Sequence, residues 1–211
     1  MYYDSVDKIM MYISSLVKGE ITVEDKVFSE KNIFVSPKIL KEIACVRGCG
    51  ACCPSFTLDY LPNEAPKGTL EREVYSKKIY TYPFNADLKH CEKLNLKNGD
   101  CTIHEHRLFT CDFELLRFKQ FTKENKVIIG TYPYGRCWNM TRYNGEKGGC
   151  CVFKSYNEEY KNEVIRKLYR LKDWISYFEI PTYIDELISC VKNMNNDDGK
   201  LIFLNHKNLL F

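Results

Sequence analysis

Apolar residues at Val6, Ile9, Met10, Ile13, Leu16 and Val17 recur at helical spacing with Asp7 and Lys8 between them. This pattern predicts an amphipathic N-terminal helix that Lys18-Gly19 brings to a stop. The same period returns late in the chain, where Tyr156, Tyr160, Val164, Leu168, Leu171, Ile175 and Phe178 trace a long helix and Thr182 to Met194 a second one. Ser36-Pro37 reads as a cap followed by proline at the first helical position, so a short helix through Lys38 to Ala44 is expected to deliver Cys45.

The middle of the chain follows another rule. Residues 55–90 are poorly periodic and punctuated by Pro62, Pro66 and Pro83, which predicts short strands and loops. Asn98-Gly99 is a tight-turn signal, and a hairpin there would bring Cys91 and Cys101 together. A short helix is expected to lead on to Cys111. A second hairpin is expected from Phe118–Phe121 and Val127–Ile129 around Lys123 to Lys126, continuing to Gly135-Arg136-Cys137. Together these elements predict an α+β chain. A small thiolate-rich metal domain with short hairpins, residues 45–151, stands between an N-terminal helical region, 1–44, and a C-terminal helical region, 152–211.

Composition adds a limit and a question. A chain of 211 residues can bury a real core without relying on metal alone. Its net charge of +3, with both signs interspersed, leaves no electrostatic footprint for nucleic acid. Lys77-Lys78 and the run Lys119 to Lys126 read as solvated faces, and no apolar run approaches the length of a membrane span. The question comes from 11 cysteines, which become disulfides in an oxidising compartment and stay available to soft metals in a reducing one. Asp4, Asp7 and Lys8 stand where a secretory signal would need an unbroken apolar stretch. The expectation is a cytoplasmic protein with reduced thiols.

Four of the cysteines crowd into one knuckle, Cys45-x-x-x-Cys49-x-x-Cys52-Cys53, with Gly48 and Gly50 between them to permit left-handed and tight backbone. A tetrahedral ion with sulfurs at about 2.3 Å needs those sulfurs within about 4 Å of one another, whereas a continuous helix would spread Cys45 and Cys53 along roughly 12 Å of axis. One regular helix therefore cannot wrap one ion. Adjacent side chains also diverge, so Cys52 and Cys53 converge poorly on a single mononuclear centre, and the knuckle is expected to feed two centres. Cys91 and Cys101, then Cys111 and Cys137, would complete them.

These residues carry a resemblance. The knuckle, then Cys91, then Cys101-x-Ile103-His104-x-x-Arg107-x-x-x-Cys111, then Cys137, resemble the YkgJ-like cysteine-cluster family, a zinc- or iron-chelating CxxCxxCC domain. The resemblance runs from Cys45 to Cys137 and leaves both flanks aside. It implies metal binding by Cys45, Cys49, Cys52, Cys53, Cys91, Cys101, Cys111 and Cys137, with an iron–sulfur cluster or iron as cofactor and zinc as the alternative. Arg107 would lend positive charge to a thiolate-rich centre, or pair with Glu105 or Glu114. The chain departs from the family at Leu108, Asp112 and Trp138, where proline, arginine and proline are usual; the thiols survive these changes. Flagellin lysine methylases carry a similar cluster, which extends the reading to an enzyme that modifies a peptide or protein. The spacing of Cys45, Cys49 and Cys52 also resembles radical S-adenosylmethionine enzymes, although Ala51 replaces their usual aromatic residue and no alternation of strand and helix follows.

Simpler roles compete for the remaining residues. Cys190 sits in the apolar stripe of a predicted helix and reads as packing. Cys150 and Cys151 stay open between ligand and core, Gly148-Gly149 before them permitting a ligand turn. His90, His104 and His106 read as hydrogen-bonding groups. No constellation of acid, base or nucleophile stands out beside the thiols. Three classes of function fit: a closed structural metal module, an iron or iron–sulfur enzyme with an open coordination position, and a carrier with exchangeable sites.

Overall fold

A computed structural model describes residues 5–41, 43–45, 48, 50, 59–82, 91, 93–104, 107–113, 116–131, 151–153, 158–195 and 199–205; at residue 5 and in 43–45 and 151–153 the description is of the backbone. In chain order the elements are α1 (Ser5–Ser14), β1 (Glu20–Val23), β2 (Lys26–Ser29), β3 (Asn32–Val35), a 3-10 turn (Pro37–Leu40) and β4 (Ile43–Cys45). Then follow β5 (Asp59–Tyr60), β6 (Leu70–Val74), β7 (Lys77–Thr81), α2 (Phe109–Phe113), β8 (Leu116–Phe121) and β9 (Lys126–Thr131). The chain closes with β10 (Cys151–Phe153), α3 (Glu158–Phe178), α4 (Ile184–Asn193) and β11 (Ile202–Phe203). Helices and short sheets coexist as the α+β expectation has it. Among the described residues, no helix is long and apolar enough to cross a membrane.

The chain forms two compact units, each drawn from three stretches. One comprises Met1–Lys8, Ile43–Leu115 and Pro133–Lys154; the other comprises Ile9–Glu42, Leu116–Tyr132 and Ser155–Phe211. The second unit takes strands from before and within the cysteine-rich region, because β3 lies parallel to β9, with Ile33 opposite Val127 and Val35 opposite Ile129. Its sheet runs β11-β3-β9-β8. The apolar stripes of the helices supply the rest of its core: Val164, Leu168, Leu171 and Trp174 on α3, and Leu187 and Val191 on α4, are all buried. Asn205 locks the edge strand, its side-chain oxygen accepting from the Ile33 N–H at 2.9 Å.

Two local differences from the sequence reading have clear causes. The first helix stops at Ser14, short of Lys18-Gly19, because the hydroxyls of Ser14 and Ser15 both donate to the Met11 carbonyl and compete with continued helix. The expected helix from Lys38 to Ala44 lasts one 3-10 turn. Ser36 caps it, its hydroxyl accepting from the Lys38 N–H at 3.3 Å, but Ile43–Cys45 then turns to strand because it pairs with β10. Cys45 is thus delivered by a strand end and not by a helix end.

The first unit is built of small pieces. β5, β7 and β6 form an antiparallel sheet, and β4 with β10 forms a two-stranded ribbon. Asp59, fully buried, is held by Arg72 at 3.1 Å and by the Thr81 hydroxyl at 2.5 Å, so its charge is paired within the sheet. The turn joining β6 to β7 holds both Tyr75 (φ +51°) and Ser76 (φ +56°) in left-handed backbone. That is the backbone a two-residue hairpin turn with the strands' twist requires.

Candidate metal centre

Cys91 and Cys101 lie on one loop, and its internal hydrogen bonds explain how it closes. Leu94 bridges Cys101, the Thr102 N–H donates to the Lys93 carbonyl at 2.8 Å, and the Asn95 N–H donates to the Asp100 carbonyl at 2.8 Å. Gly99, at φ +74°, makes the turn, its N–H reaching the Asn95 carbonyl at 2.7 Å. The Asn98-Gly99 signal therefore produces a hairpin-like loop in which Leu94, and not Cys91, stands opposite Cys101. Cys91 is folded back by a turn of its own, with the Leu94 N–H on its carbonyl at 3.0 Å. Its Sγ accepts the Lys93 N–H at 3.4 Å.

The third described thiol comes from α2. The Asp112 N–H donates to the Leu108 carbonyl at 2.9 Å, which starts the single turn that carries Cys111. Cys91 and Cys111 both pack against the buried pair Tyr60 and Leu108, beside Ala65, Tyr80 and Tyr82. Two thiols from separate elements thus rest on one largely apolar floor. Tyr60 is pushed up to about 12, first by burial and then by the negative charge that Tyr82, Cys111 and Cys91 would carry near its phenol. Arg107 donates its Nε to the His104 carbonyl at 3.0 Å and so braces the loop between Cys101 and Cys111.

The knuckle meets this loop. Gly48 stands at φ +75° and Gly50 at φ +55°, both in the left-handed backbone that glycine tolerates best. A β-carbon at Gly48 would lie 2.9 Å from the Asn98 carbonyl oxygen, closer than such contacts occur. Backbone packs on backbone at this point, between Cys45 and Cys49 on one side and Cys91 and Cys101 on the other.

Cys91, Cys101 and Cys111 are half-buried cysteines in this unit, and Cys190 is a half-buried cysteine on α4 in the other. Cys45 has its backbone in β4, whereas Cys49, Cys52, Cys53, Cys137 and Cys150, with His90, Glu105, His106 and Glu114, lie outside the described residues. Among the described residues no three side chains of His, Cys, Asp or Glu come together as a metal cage. The donors that are described suit one: they are soft thiols, and one of them already holds a backbone N–H. Two features escaped the sequence reading. Tyr60 gave no signal as a floor for thiols, and Cys151 emerges opposite Cys45 across the ribbon, a placement to which only Gly148-Gly149 hinted.

Residues 44–128, less than half of the chain, match the model of the family CxxCxxCC, described as "Putative zinc- or iron-chelating domain". This agrees with the YkgJ-like resemblance read from the cysteines: the central segment is similar to a family described as metal-chelating. No curated protein and no solved structure matches the chain.

Proposed function

We propose that the first unit holds an iron–sulfur or iron centre, with zinc as the alternative, on thiolates drawn from Cys45, Cys49, Cys52, Cys53, Cys91, Cys101, Cys111 and Cys137. The observation that carries this reading is the close approach of Gly48 to Asn98, which leaves no room for a side chain at position 48 against the Cys91–Cys101 loop. The N–H bond to Cys91 Sγ and the shared floor under Cys91 and Cys111 support it. Arg107, braced on the His104 carbonyl, is the cation that offsets the thiolates' excess negative charge. A soft-metal centre held by thiolates goes with a reducing, cytoplasmic setting. Modification of a peptide or protein is the finer reading; its support is the cluster's resemblance to that of flagellin lysine methylases, and it requires an ion with an open coordination position.

Anaerobic purification followed by elemental analysis and an absorption spectrum tests the proposal. Stoichiometric iron with acid-labile sulfide and broad visible absorbance is the expected result, colourless stoichiometric zinc supports the alternative, and a protein free of both metals refutes the reading.

A further inference from the structure

The chain enters the cysteine-rich segment through β4 and leaves it through β10. The two pair antiparallel, with Ile43 opposite Phe153, Ala44 opposite Val152 and Cys45 opposite Cys151. Positions directly opposite in such a ladder share one face of the ribbon, with β-carbons about 4.5–5.5 Å apart. A four-coordinate ion with sulfurs at about 2.3 Å requires sulfur separations of about 4 Å, which a cross-strand pair of cysteines can meet. The register places the first cysteine of the knuckle directly opposite a cysteine far along the chain.

We infer that Cys151 is a metal ligand, sharing with Cys45 one thiolate centre at the point where β4 passes into the knuckle. The inference rests on the proposed metal centre and adds to it a residue beyond 128, where the family match ends. It also gives the ribbon a purpose. An ion bound across Cys45 and Cys151 fastens both ends of the cysteine-rich segment at once, and closing so long a loop removes much of the unfolded chain's freedom. A shift of register by one residue would move Cys151 to the opposite face, so the three paired positions of the ribbon are what make the site.

The test compares the anaerobically purified full chain with Cys151→Ser, Cys151→Val and Cys190→Ser, reading metal per chain and the thiolate-to-metal absorption. Cys151→Val fills the volume of the thiol without offering a ligand, so it separates packing from ligation. Both variants at 151 are expected to lose about half of the bound metal, the share of one of two centres, while Cys190→Ser keeps it all. Full metal and an unchanged spectrum in Cys151→Val overturn the inference and leave the proposed centre standing. A wild-type chain that carries no metal overturns both. Alkylation of the wild-type protein does not depend on how a variant folds: Cys45 and Cys151 are expected to be protected together while metal is bound and to react after chelation. Rapid labelling of Cys151 with Cys45 still protected refutes the shared centre.

Discussion

Gly48→Ala probes the packing on which the proposed metal site rests. Two costs add at this position. The backbone sits at φ +75°, where a residue with a β-carbon costs about 1–2 kcal/mol. The new methyl would also lie 2.9 Å from the Asn98 carbonyl oxygen, a backbone atom that moves only with its loop. Overpacking of this kind costs a further 1–3 kcal/mol or so, giving a total of about 2–5 kcal/mol. Gly68→Ala is the control, because Gly68 lies in the same unit at φ +90° with nothing within 4 Å, so only the backbone cost applies there. Urea denaturation of the metal-loaded protein, followed by thiolate-to-metal absorbance, measures both. Where folding and metal binding are linked, the excess of Gly48→Ala over Gly68→Ala also appears as weaker metal affinity, about tenfold for each 1.4 kcal/mol. Equal destabilisation by the two substitutions would refute the close packing of knuckle on loop.

Replacing Cys49 or Cys52 by Ala is expected to lower bound metal and the stability of the first unit together, whereas Cys190→Ala keeps its metal at a small cost in packing; elemental analysis and thermal melts decide. Ser76→Gly should stabilise the protein by up to about 1 kcal/mol, since exposed Ser76 is held at φ +56° and glycine removes that strain; a chemical denaturation curve reads it. Tyr183 is pushed up to about 12 by burial and by donating a hydrogen bond to Glu30. The folded protein therefore holds that proton where the unfolded chain has lost it. Its contribution is complete below about pH 10 and disappears as the pH rises toward 12, so Tyr183→Phe should flatten the fall in stability across that window.

Much of the second unit was legible because its signals are local. The apolar stripes of α1, α3 and α4 declare themselves at helical period, and the turn between β8 and β9 falls at Asn125, a residue that tolerates its left-handed φ of +45°. The strands that the reading missed, β1 and β2, and those it expected without placing, β6 and β7, had no such markers. The β1–β2 turn holds Glu24 at φ +53°, and the β6–β7 turn uses Tyr75 and Ser76, so neither shows the Asn-Gly or Asp-Gly that would announce it. The parallel pairing of β3 with β9, and the strand at Ile43–Cys45, depend on partners far along the chain, and short apolar runs do not name their partners. At the site, dense cysteines and flanking glycines made the knuckle legible. The pairing of Cys45 with Cys151 was not, because it is a property of register and not of spacing.

X-ray absorption at the edge of whichever metal the anaerobically purified protein carries tests the central claim most directly. The account predicts a first shell dominated by sulfur, at about 2.3 Å for zinc, with about four sulfurs per metal. A shell of nitrogen and oxygen near 2.0–2.2 Å without sulfur would contradict it.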